Sequence, residues 1–98
     1  MTNPVVELLI VDGRPAVRGE CDLSSAGEIE AWLDSFDTPN LEVDLSGVSF
    51  IDSSGLKAFL NVRRRNANMR IVEPSDVVVR LLQITGLHAF LVDGTGSD

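Results

Sequence analysis

Ninety-eight residues with 44% hydrophobic and 23% charged side chains suit one globular domain that builds its core without disulfides or metal. A net charge of −7 repels phosphate backbones, and five aromatics with no Tyr leave little for stacking bases, so direct nucleic-acid binding is excluded. Charge is also uneven. Residues 1–52 hold eleven acids against Arg14 and Arg18, a balance of −9, whereas residues 53–98 hold six bases against four acids.

Met1-Thr2-Asn3-Pro4 has neither a basic start nor an apolar run, and nowhere does an apolar stretch approach the ~20 residues of a membrane span. No signal peptide and no membrane insertion are expected, and the cytoplasm is the expected location. Cys21 is the only cysteine, which excludes an internal disulfide and a cysteine-rich metal site.

In chain order, Val5 to Val11 is β-rich and ends in Asp12-Gly13, followed by Arg14 to Glu20. Asp-Gly between two such runs predicts a tight hairpin, because both turn positions tolerate positive φ. Pro15 suits a strand start or an edge. Ser24-Ser25 ahead of Glu28 and Glu30 read as a helix start, and Ile29, Trp32, Leu33 and Phe36 form its apolar stripe. Thr38-Pro39-Asn40 ends that helix.

Leu41 to Leu45 alternates apolar and acidic residues, the period of a half-buried strand, and Gly47 is expected to break it. A second helix is predicted from about Ser54 to Asn66, with Leu56, Phe59, Leu60 and Ala67 as its stripe. Arg63-Arg64-Arg65 reads as a solvated basic end suited to the helix dipole. Met69 to Val72 is a short strand, Ser75 caps a helix over Asp76 to Thr85, and Gly86 supplies its left-handed stop. Ala89 to Val92 reads as a final strand, and residues 94–98 as a flexible tail. The pattern β-β-α-β-α-β-α-β predicts one α/β domain over residues 1–98, with a mixed, mostly parallel sheet opened by an N-terminal hairpin.

The chemistry concentrates at Asp52-Ser53-Ser54-Gly55, where a strand hands over to a helix. Helix starts carry free N–H groups and partial positive charge, so they favour anions. Ser53 and Ser54 have two readings. Either a hydroxyl caps the helix, or one accepts a phosphate, which adds about −1.5 to −2 charges where the helix welcomes them and Asp52 resists. Gly55 either eases the turn or admits close approach of a partner. Asp22 either caps the first helix or joins Asp52 in an acidic rim around Ser53. The sequence has no G-x-x-x-x-G-K-[ST], no G-x-G-x-x-G and no nucleophile elbow, and Asp44 and Asp52 are separated by Gly47. His88 is a loop residue with no catalytic partner in the pattern. No enzyme activity, metal or cofactor is expected.

Three stretches resemble those of STAS domains. Gly19-Glu20-Cys21-Asp22 is similar to their G-E-L-D element. Asp44 to Leu56 (DLSGVSFIDSSGL) resembles their D-L-x-x-V-x-x-[IM]-D-S-[ST]-G-[LI] signature, and Leu81 to Leu87 (LLQITGL) their closing L-L-x-x-T-G-L. The match runs in order through nearly the whole chain and departs at Cys21, where leucine is usual. Length and the Asp-Ser-Ser-Gly junction resemble most the bacterial anti-sigma factor antagonists. This resemblance implies a STAS fold and a non-enzymatic regulator of sigma factors. Its unphosphorylated form would bind an anti-sigma factor that is also an ATP-dependent serine kinase, and phosphorylation of Ser53 would end that binding until a metal-dependent serine phosphatase resets it. Asp22, Asp52, Ser53, Ser54, Gly55 and Lys57 would form the partner surface, on a monomer or weak dimer. The alternative is a stand-alone STAS subunit bound to the ATPase of a lipid or anion transport complex. That branch more often carries threonine and a second glycine at the junction. A third class, a small-ligand sensor, lacks a loop that announces a pocket.

Overall fold

In the computed structural model, which describes residues 6–94, the chain folds as strands β1 (Val6–Val11) and β2 (Arg14–Cys21), helix α1 (Leu23–Asp34), strand β3 (Glu42–Ile51), helix α2 (Ser53–Arg65), strand β4 (Arg70–Val72), helix α3 (Asp76–Thr85) and a terminal helical turn (Ala89–Asp93). The sheet order is β1-β2-β3-β4, with β1 antiparallel to β2 and the other neighbours parallel. This is the mixed, mostly parallel sheet opened by a hairpin that the sequence predicts. The expected strand residue Val5 and the expected tail residues 95–98 lie outside the described residues.

Local chemistry sets these elements. Asp12 and Gly13 take φ values of 52° and 79°, the mirror-image turn whose twist matches that of the paired strands. Pro15 stands opposite Ile10, just before β3 joins β2 at Ala16, so its missing N–H costs no ladder bond to β3. Helices α1 and α2 pack on each other over the sheet, and α3 sits against β3, starting where Ser75 N donates to Leu45 O as β4 ends. Between these layers Val17, Ile29, Leu33, Val43, Leu45, Phe59, Val62, Ile71 and Leu82 are buried.

Four expectations are corrected. Gly47 does not break β3. The strand runs on to Ile51, with register shifts against β2, and Arg18 lies across Gly47, where an added Cβ would stand 3.1 Å from its Cδ. A glycine inside a strand marks a bulge and a close approach here, not an end. Ala67 lies beyond α2 and is exposed, its place in the helical stripe taken by Val62.

Arg63 is not a solvated end. It is buried, donates to Met69 O at 2.7 Å, and stacks 4.5 Å from the Phe90 ring centroid. Finally, Ala89 to Val92 is helical rather than extended. Leu91 N donates to Leu87 O, and this winding drives Leu91 into the core while Phe90 meets Arg63. A four-residue apolar run does not distinguish strand from helix, whereas Leu87 and Leu91, four apart, carried the helical spacing.

Candidate functional site

β2 and β3 end side by side, with Cys21 paired to Ile51 and Asp52 N donating to Cys21 O at 3.2 Å. Each strand therefore delivers an aspartate and a helix start to the same end of the sheet. Asp22 caps α1 in a reciprocal box. Its carboxylate accepts from Ser24 N at 3.0 Å, and its own N–H donates to Ser25 Oγ at 3.0 Å. Buried Ser25 in turn donates its hydroxyl to Glu20 O at 2.8 Å. Asp52 caps α2, its Oδ1 accepting from Ser54 N at 2.9 Å and Gly55 N at 3.1 Å.

These bonds identify the helix caps. The cap of α2 is Asp52 and not a serine, so α2 starts one residue earlier than expected and Ser53 occupies its first position, exposed to solvent. Ser54 is the second helical residue and half-buried. The cap of α1 is likewise Asp22, one of the two readings the sequence left for that residue, and not the hydroxyls of Ser24-Ser25. Asp22 therefore takes the capping reading, at a strand end that lies beside the one carrying Asp52. Gly55 is buried and permits a close approach of the chain to itself. A Cβ there would run into Cys21 O and stand 2.8 Å from both the Cys21 carbonyl carbon and its Cβ. Lys57 lies one turn further along, exposed, and its charge bears on Glu30 of α1.

The site's electrostatics are acidic. The Ser24 hydroxyl, 2.6 Å away, and the backbone N–H groups at the α1 start hold the Asp22 carboxyl below the usual carboxylate range, so it is charged at neutral pH. Burial first, then the Asp22 and Asp52 carboxylates, push the Cys21 thiol up to about 12, which keeps it protonated and inert. The two carboxylates thus bracket one buried thiol beneath the helix starts. Asp44 is bound locally, accepting from Ser46 N at 2.8 Å. His88 precedes the terminal turn, half-buried. Among the described residues, no cluster of three His, Cys, Asp or Glu side chains could hold a metal, and no helix is long and apolar enough to cross a membrane.

The central signature builds an exposed serine at the first position of a helix capped by an aspartate, and the neighbouring parallel strand ends in a second capping aspartate. The family model for the STAS domain matches residues 16–95. The chain belongs to the STAS domain family. Within that family it is 35% identical over 78 residues to the anti-sigma-B factor antagonist of Listeria monocytogenes, covering 72% of this chain and 68% of the relative. It is 30% identical over 89 residues to that of Staphylococcus aureus, covering 84% and 82%.

Among solved structures it resembles an anti-sigma factor antagonist from Mycobacterium paratuberculosis, with TM-score 0.69 and 26% identity over 88% of this chain and 80% of the other. The unphosphorylated form of the anti-sigma factor antagonist SpoIIAA shares the STAS fold at TM-score 0.64 and 24% identity, covering 84% and 81%. What sequence reasoning missed at this STAS site is the role of Ser25, read as part of a helix cap but in fact the third helical residue that closes the box with Asp22, as its place three residues after Asp22 could have signalled.

Proposed function

We propose that this STAS-family chain is an anti-sigma factor antagonist whose binding is switched at Ser53. Unphosphorylated, it binds an anti-sigma factor serine kinase in the cytoplasm and so frees a sigma factor. In the kinase's active site the Ser53 hydroxyl oxygen attacks the γ-phosphorus of ATP, loses its proton, and ADP leaves. The phosphorylated antagonist dissociates, and a serine phosphatase hydrolyses the O–P bond to restore it. The chain is the substrate in both steps and supplies no catalytic residue.

One observation carries this reading. Asp52 performs the capping, so Ser53 is exposed and has no part in the cap that holds the helix start. A phosphate there meets the positive end of α2, which keeps the fold, and joins Asp22 and Asp52, which sharply raises the negative charge that a partner meets. Asp22, Asp52, Ser53 and Ser54 form the contacted rim, Gly55 sets it by bringing α2 down on β2, and Lys57 supplies the one cation of the α2 start. The names of the Listeria and Staphylococcus relatives support the antagonist role.

The test is incubation with a cognate anti-sigma factor kinase and ATP, followed by mass spectrometry. The expected product carries one phosphate, on Ser53. Ser53→Ala abolishes labelling, Ser54→Ala retains it, and Ser53→Asp loses kinase binding. A phosphate on another residue, or wild-type binding by Ser53→Asp, overturns the proposal.

A further inference from the structure

Leu23 is 80% exposed, more than Ile84, Ile10, Phe50 or Val77, the other large apolar side chains that face solvent among the described residues. It is the first residue of α1, between the capping Asp22 and Ser24. The fold does not use it. The capping box is made by Asp22 and Ser25, and the apolar contact that can brace a helix start joins the residue before the cap to the fourth helical residue, here Cys21 and Ala26. Neither role falls to Leu23.

An isolated exposed leucine is ordinary on a protein surface. This one is set apart by its surroundings. The pairing of Cys21 with Ile51, and the bond from Asp52 N to Cys21 O, place the start of α1 beside the start of α2. Leu23 is therefore the one long apolar side chain among the short polar groups of the two helix starts, Asp22, Ser24, Asp52, Ser53 and Ser54. An apolar anchor ringed by polar and charged groups is the anatomy of a protein interface. The carboxylates of Asp22 and Asp52, which both act on the Cys21 thiol between them, fix the sign of the complementary surface as positive.

We propose that Leu23 is a specificity anchor, inserting into an apolar recess with a basic rim on the kinase that acts on Ser53. This rests on the reading of Ser53 as the phosphoacceptor. Ser53 carries the chemistry, and Leu23 selects which kinase reaches it. Losing the leucine weakens association and leaves the transferred group untouched, so KM rises while kcat holds.

The experiment uses a purified serine kinase of the anti-sigma factor class from the same genome. Its affinity and steady-state phosphorylation are measured for wild type, Leu23→Ser, Leu23→Met and Ser53→Ala, with a thermal melt of each. Leu23→Ser is expected to raise Kd and KM about tenfold with kcat and melting temperature unchanged, and Leu23→Met to stay within about twofold of wild type. Wild-type affinity in Leu23→Ser, or equal loss in Leu23→Met, overturns the anchor alone provided Ser53 is still phosphorylated. If wild type neither binds the kinase nor gains phosphate on Ser53, the underlying reading fails and the anchor fails with it.

Discussion

Helix α2 has two ends that look alike in sequence, each a cluster of polar side chains, and they are built for opposite purposes. At its C-terminal end the arginines are engaged in structure. Arg63 is buried between Met69 O and the Phe90 ring, and Arg65 bridges back to Glu30 and Asp34 of α1. At its N-terminal end the cap is handled by one carboxylate, and the hydroxyl beside it is left at the surface. One end fixes the helix in the fold, and the other presents it. A chemical change at the presenting end can then alter the surface while the far end holds the helix in place.

Substitutions test this contrast in order of expected size. The tightest point of the presenting end is Gly55 against Cys21, so Gly55→Ala is expected to cost about 3 kcal/mol in a urea melt, because the methyl has to displace backbone. Gly27, with nothing within 4 Å of an added Cβ, is expected to gain about 0.5–1 kcal/mol on changing to Ala. At the fixed end, Arg63→Ala leaves Met69 O without its donor and Phe90 without its cation, a loss of about 2–3 kcal/mol. A loss as small as that of a typical surface arginine would show that both ends are solvated and break the comparison. Asp52→Ala removes two capping bonds and is expected to cost about 1 kcal/mol, against less than about 0.5 kcal/mol for Ser53→Ala. Equal losses would return the capping role to the serine.

The buried thiol gives a smaller test by pH. Its folded value of about 12 lies above its ordinary 9.0, so the folded state holds the proton more tightly than the unfolded one. The stability it contributes is complete below pH 9.0 and is lost as pH rises from there towards about 12. Denaturant midpoints across that window should fall less steeply in Cys21→Ala than in wild type. Below it, the native thiol should resist alkylation.

The order of the strands and helices up to Gly86 was legible because each rests on a local signal. Asp12-Gly13 supplies the turn, Ile29 and Leu33 the helical face, Leu41 to Leu45 the alternation, and Gly86 the stop. The candidate junction was legible for the same reason, as short polar residues where a strand meets a helix. What escaped depends on tertiary partners. Asp52 prevails over the serines as cap because the end of β2 fixes its backbone through Cys21 O. Arg63 is drawn inside by a carbonyl six residues on and by a ring 27 positions away, neither of which periodicity records. The terminal turn winds because Leu91 finds the core, and β3 passes through Gly47 because Arg18 fills the space a side chain would need.

The most direct test of the central claim compares the protein phosphorylated at Ser53 with the unmodified protein in a single titration against the anti-sigma factor kinase, alongside a thermal melt. The account predicts a melting temperature within about 3 °C of the unmodified protein and an affinity at least about a hundredfold weaker. Equal affinity of the two forms would contradict it, as would loss of the folded state on phosphorylation.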